Sequence, residues 1–172
     1  TSVVAKRVKR AEGLMFQSLY QIHKLITFIL TGRKVNFGNY SCLTKKDIKI
    51  LSDKASLWSS FSGSIKKNLK NLNETESIRG LRYFGPSQMS LFKLIIHSFS
   101  IIAVFKYQVF LRSIFIIILL SYLSSTLGNL SIFFIILTVI FNVLIFLISQ
   151  RESEKDLINC HQNLSEIKEI TH

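Results

Sequence analysis

Ile132-Phe-Phe-Ile-Ile-Leu-Thr-Val-Ile-Phe-Asn-Val-Leu-Ile-Phe-Leu-Ile148 holds 15 apolar residues in 17, interrupted only by Thr138 and Asn142. At about −0.3 to −0.6 kcal/mol for each central Leu, Ile, Phe or Val, transfer of this stretch into a bilayer is favourable, and one Asn does not reverse it. Upstream, Val109 to Leu127 supplies a second apolar stretch of 19 residues. As a helix it spans about 28 Å, close to the hydrocarbon thickness. Arg112 lies near its start and is expected to snorkel its guanidinium to the headgroups. Gly128-Asn129 is read as the turn between the two. The expectation is a transmembrane hairpin over 109–148, with spans 109–127 and 132–148.

Charge is distributed around this block in a way that orients it. Ser113 to Gln150 contains no charged side chain, whereas 19 Lys and Arg against 5 Asp and Glu precede it, and 3 basic and 5 acidic residues follow. Lys93, Lys106 and Arg112 flank the first span and Arg151 and Lys155 the second, with no basic residue in the turn. The positive-inside rule then puts both termini on the cytoplasmic face of a multi-pass protein. A competing topology makes Leu94 to Leu111 a third span, at the cost of burying His97 and Lys106.

The formal excess of +12 fits nucleic acid, anionic headgroups or a phosphorylated ligand. The adjoining membrane block moves the weight to the last two and away from nucleic acid. Cys42 and Cys160 stand far apart without a CxxC, so neither a disulfide framework nor a zinc site is indicated. The chain opens at Thr1 without an initiator Met or a signal peptide, which reads as a piece of a longer protein.

Working back from the apolar block, Met89 to Phe105 is apolar at helical spacing yet carries Lys93 and His97, and is read as a helix lying in the membrane interface. Thr1-Ser-Val-Val-Ala5 reads as a strand running into the basic string Lys6-Arg-Val-Lys-Arg10. Ala11 to Thr31 reads as a helix with a wide apolar face, buried or on a membrane surface, and stopped by Gly32. Asn36 to Tyr40 is read as loop, and Thr44 as the N-cap of a helix from Lys45 to Leu51. A further helix starts near Ser56. Asn71 to Ser77 is read as turn-like and Ile78 to Phe84 as a short strand ending at Gly85-Pro86. This alternation of strands and helices indicates the second half of an α/β domain.

Self-contained catalytic signatures are absent: there is no GxGxxG, Walker loop, HExxH, GxSxG or Asp-x-Asp pair. Basic residues beside turns are the remaining chemistry, and such residues hold phosphates. One candidate is Lys6, Arg7, Lys9 and Arg10, where a ligand crevice opens in α/β sheets; the plainer reading is a solvated basic edge that attracts anionic lipid. The other is Arg79-Gly-Leu-Arg82-Tyr-Phe-Gly85-Pro-Ser87, whose plainer reading is a strand end with exposed arginines. His97 and Asn142 read as interfacial and structural polar groups, with Asn142 expected to bond Ser121, Ser124 or the facing backbone.

The string from Arg82-Tyr-Phe-Gly-Pro-Ser-Gln-Met to Phe105 resembles the R-x-x-G-x-S-K-M segment and juxtamembrane helix of family 2 glycosyltransferases of the dolichol-phosphate mannosyltransferase, or polyprenyl-phosphate glycosyltransferase, type. Val3 to Arg10 and Phe37-Gly-Asn-Tyr-Ser-Cys-Leu-Thr-Lys45 resemble two further blocks of that family in the same order. The resemblance implies a GT-A fold, a nucleotide-sugar donor, a divalent metal (Mg or Mn) and a polyprenyl-phosphate or other cell-envelope glycan acceptor. It matches Arg7, Arg82 and Ser87 to phosphate- and acceptor-binding residues, and Arg10, from the basic string after the strand, completes the expected site. Gln88 replaces the family's lysine, and Gly38-Asn-Tyr40 stands where related enzymes have Gly-Asp-Phe. The metal ligands would belong to a donor-binding half that precedes Thr1, so the catalytic base is not assigned and the chain alone is expected to be inactive.

The expected organisation is the second half of a GT-A type α/β domain over 1–88, an interfacial helix over 89–108, the hairpin over 109–148 and a cytoplasmic tail over 149–172. Nucleotide sugar, lipid-linked acceptor and membrane lipid are the expected partners, and a homo-oligomer is compatible. The rival is a non-enzymatic basic membrane adaptor that binds anionic lipids.

Overall fold

Val3 and Val4, β-branched residues suited to a pleated surface, lie in the middle strand of a three-stranded sheet. The computed structural model describes residues 1–10, 14–79 and 90–164. Strand β1 (Ser2–Arg10) is flanked by β2 (Phe37–Cys42), which runs antiparallel, and β3 (Leu72–Arg79), which runs parallel, in the order β2-β1-β3. The fold is thus a mixture of helices and a small mixed sheet.

All three strands differ from expectation, and pairing explains each difference. β1 does not stop at Ala5, because β3 accompanies it from Ser2↔Leu72 to Arg10↔Arg79. β3 begins at Leu72, where turn residues were expected; its acidic side chains face a basic neighbour, and Lys6 Nζ lies 3.5 Å from Glu74 Oε2. Opposite charges across strands favour pairing. The expected loop over 36–40 becomes an edge strand whose first residue, Phe37, is buried in the core. The part of the expected strand beyond Arg79, with Gly85-Pro86, lies outside the described residues.

Helices α2 (Lys45–Ser52), α3 (Ser56–Ser59) and α4 (Phe61–Asn68) supply the cover. Thr44 is the expected N-cap, its hydroxyl accepting from the Asp47 amide. Val4, Phe37, Leu51, Ile65 and Leu69 form the buried centre between sheet and helices.

The remaining helices assemble against one another. They are α1 (Leu14–Thr31), α5 (Leu91–Ala103), α6 (Lys106–Tyr122), α7 (Ser124–Leu127), α8 (Asn129–Ser149) and α9 (Glu154–Leu164). Ile102, Ala103, Val109 and Ile145 make a second core that roots α6 and α8 on α5, with Leu30 of α1 packed against it. Phe99 of α5 meets Phe141 of α8 edge to face, with ring centroids 5.4 Å apart. α8, with 21 residues, is long and apolar enough to cross a membrane.

Two expectations about the apolar block are corrected. The stretch expected over 109–127 is not one helix: α6 begins at Lys106 and ends at Tyr122, and a short α7 follows. Nor is Leu94 to Leu111 a continuous span, because α5 and α6 meet at a 91° bend. Gly128, with φ +54°, makes the expected turn into α8. After it α8 runs back beside α6, the Ser131 hydroxyl donating to the Leu120 carbonyl.

Candidate functional site

The contacts of α1 are the reverse of those in a water-soluble helix. Thr27 and Thr31 are 2% and 3% exposed, whereas Leu25 is 59% exposed and Ile22, Phe28 and Ile29 are each about half exposed. Small hydroxyl side chains also occupy buried positions elsewhere in the helical assembly, at Ser100, Ser113, Ser131 and Ser149, while Phe92, Phe115, Ile118, Phe133, Leu144 and Leu147 face outward. In water so much contiguous apolar surface would be covered by association. In a bilayer, small residues at helix contacts and large apolar ones outside are the ordinary arrangement.

Of the expected phosphate-binding residues, Arg7 and Arg10 lie on the carboxyl-terminal part of β1. β1 and β3 are parallel and terminate together, with Arg7 level with Ser77 and Arg10 level with Arg79. Ligands in open α/β sheets gather at the carboxyl ends of parallel strands. Arg82 and Ser87 lie outside the described residues, as do the side chains of Arg7, Arg10 and Arg79. The backbone therefore brings Arg10 and Arg79 side by side, and the chain runs on from Arg79 to α5.

Sequence reasoning missed a second charged constellation, at the α5–α6 bend. The break after Ala103 frees the Val104 carbonyl from the helix, and Lys67 of α4 reaches across to donate to it at 2.7 Å. Lys106, at the first position of α6, lies 3.7 Å from Glu152 Oε2 just beyond α8. Burial pushes the Glu152 carboxyl above its ordinary range, against the opposing pull of Lys67 and Lys106. These groups line or adjoin a cleft of about 310 Å³ at the foot of α8, with Phe146, Ser149 and Asp156 on its walls. A signal existed: Lys106 and Glu152 stand 22 residues before and 24 after Gly128, so folding the chain back at that glycine puts them at one level.

A second groove, of about 320 Å³, runs beside α1 between Lys24, Leu25, Phe28 and Lys34. The Lys34 ammonium lies 5.4 Å from the Phe28 ring centroid and that of Lys24 lies 5.3 Å from Tyr20's. Cations held over aromatic rings beside exposed Leu and Ile form an amphipathic edge suited to anionic headgroups.

No family model, curated protein or solved structure matches this chain. Its chemistry must be read from its own residues. Among those described, no three His, Cys, Asp or Glu side chains come together as a group for a metal ion. The divalent metal implied by the resemblance has no such group among the described residues. His97 is exposed on α5. Asn142 corrects an expectation, since its amide donates to the Thr138 carbonyl of its own helix at 2.7 Å and not to α6.

Proposed function

We propose that this chain is the membrane-anchored, acceptor-side part of a glycosyltransferase that moves a sugar from a nucleotide-sugar donor to a polyprenyl phosphate or related glycan acceptor at the cytoplasmic bilayer surface. The observation that carries the membrane part is the inverted packing of α1, α6 and α8, with Thr and Ser inside and Leu, Ile and Phe outside. On this reading α6 and α8 form a transmembrane hairpin. The 91° bend lays α5 along the interface, and α1 floats its exposed apolar face in the same layer.

The chemical part is supported by position. Parallel β1 and β3 end at Arg10 and Arg79, and the segment between Arg79 and α5 contains Arg82 and Ser87. A phosphate carried by a membrane lipid would meet guanidinium groups there, which grip two oxygens at once where lysine offers a point charge. The reading takes 1–88 as part of a GT-A domain, supported by the mixed order of strands and helices there. This chain's contribution is to hold and neutralise phosphate; the donor site and the base belong to residues outside it.

The test is phosphate recognition by the whole chain in lipid nanodiscs, titrated with polyprenyl phosphate. Arg82→Ala should weaken binding about tenfold, the 1.4 kcal/mol of one charge-assisted contact. Arg82→Lys should recover part of the loss, and Arg79→Ala, outside the R-x-x-G spacing, should cost less. If both alanine variants bind as the parent does, the phosphate role is wrong. The Lys24 and Lys34 groove on α1 favours one other reading, a non-enzymatic adaptor for anionic lipid. That reading expects binding to any acidic vesicle, released by salt, with no preference for the lipid phosphate monoester.

A further inference from the structure

The cleft at the foot of α8 contains an unanswered group. The Glu152 side chain is 7% exposed. One of its oxygens, Oε2, faces Lys106, while the other, Oε1, is buried and accepts no hydrogen bond from the described residues. A buried carboxylate oxygen without a donor is expensive. Neighbouring donors are directed elsewhere: Lys67 donates to the Val104 carbonyl and the Ser149 hydroxyl to the Phe146 carbonyl.

The missing partner can be deduced from the cleft walls. Glu152 and Asp156 provide two carboxylates and Lys106 one ammonium, so an entering ligand gains most by carrying a hydrogen-bond-donating cation together with an anion. Phe146, half exposed on the last turn of α8, gives the cleft an apolar lower wall continuous with Val143 and Leu147 along the same helix. At about 310 Å³ the space lies at the small end of small-molecule sites.

We propose that this cleft is the headgroup site of a zwitterionic phospholipid with a primary ammonium, which donates to Glu152 and Asp156 while its phosphate meets Lys106. The acyl chains lie along Phe146 and Val143. The ammonium meets the Glu152 carboxylate where it lines the cleft and supplies the N–H donor that Oε1 lacks. A phosphocholine headgroup has the same charges but no N–H, so it leaves that oxygen unanswered. A phosphoglycerol headgroup lacks the cation altogether. The inference rests on α6 and α8 being inserted in a bilayer.

The test uses the whole chain reconstituted in nanodiscs of equal phosphatidylethanolamine, phosphatidylcholine and phosphatidylglycerol, then extracted gently and weighed intact with its retained lipid. Phosphatidylethanolamine should be enriched about tenfold over phosphatidylcholine, the ratio expected from one charge-assisted hydrogen bond. Glu152→Gln should bring that ratio down to about one. Asp156→Asn, on the exposed first turn of α9, should lower it partway and serves as the second variant if the first fails to insert. Equal retention of the two lipids by the parent chain, or an undiminished ratio in both variants, overturns the headgroup site while leaving insertion intact. A parent chain that does not enter nanodiscs at all overturns the membrane reading and this site with it.

Discussion

Arg112 Nη1 lies 2.7 Å from the carbonyl oxygen of Ile29, so a side chain on α6 caps the last turn of α1 across 83 residues of sequence. The same nitrogen is 3.4 Å from the Phe28 carbonyl. The guanidinium expected at the lipid headgroups is held by the last carbonyls and the negative end of α1. Arg112→Ala should loosen the α1–α6 contact by about 1 kcal/mol, read as faster hydrogen exchange of the α1 C-terminal amides with those of α8 unchanged. Equal protection in both proteins would show the cap to be idle.

Gly32 belongs to the same contact. Its φ of +69° is unfavourable for a side chain, and a Cβ there would run into the Arg112 guanidinium. Gly32→Ala should therefore cost about 1–2 kcal/mol, lowering the unfolding midpoint more than Arg112→Ala does. A rise in midpoint would mean that the left-handed turn is not occupied.

Asp47 links α2 to the start of β1. Its carboxylate accepts the hydroxyls of Ser2 and Thr44, and these bonds hold its pKa below the ordinary value of 3.8. A depressed carboxylate stabilises the fold above its unfolded-state pKa, and that stability is lost as pH falls through the depressed value. Asp47→Asn should flatten the acid side of the stability profile below about pH 4 and leave its basic side unchanged. Chemical denaturation at a series of pH values reads this, and an unaltered acid limb would remove Asp47 from the account.

Ser131 and Asn142 should respond with opposite signs. Ser131 is fully buried and donates to Leu120 on the facing helix, so Ser131→Ala should destabilise by about 0.6 kcal/mol, typical of such bonds in membranes. Asn142 Oδ1 is buried with no partner among the described residues. Asn142→Leu should be neutral or stabilising, since an unpaired acceptor is removed. Unfolding of the chain in mixed micelles compares them; a loss at Asn142 larger than at Ser131 would point to a partner outside this chain.

Topology can be read from thiols. In a Cys42→Ser background, a cysteine placed at exposed Ser125 in α7 should react with an impermeant reagent added to sealed cells, while Cys160, also exposed, should react only after lysis. External labelling of Cys160 would contradict a hairpin with both ends cytoplasmic.

The elements legible in the sequence are those whose signals are local. The length and apolarity of α8, the Thr44 cap, and the glycines that end α1 and precede α8 each depend on residues within a turn or two of one another. Tertiary structure decided whatever depends on distant partners. β1 extends to Arg10, and a polar stretch after Asn71 becomes β3, only because each is the other's hydrogen-bonding neighbour. The apolar face of α1 could have been buried or membrane-facing by periodicity alone; packing of α1 on α5 and α6, with Leu30 against their core and Thr27 and Thr31 buried, turned it outward. Lys106 and Glu152 are unremarkable in sequence and become one buried ion pair only when α8 folds back along α6, because Coulomb attraction and desolvation depend on distance in space and not on separation along the chain.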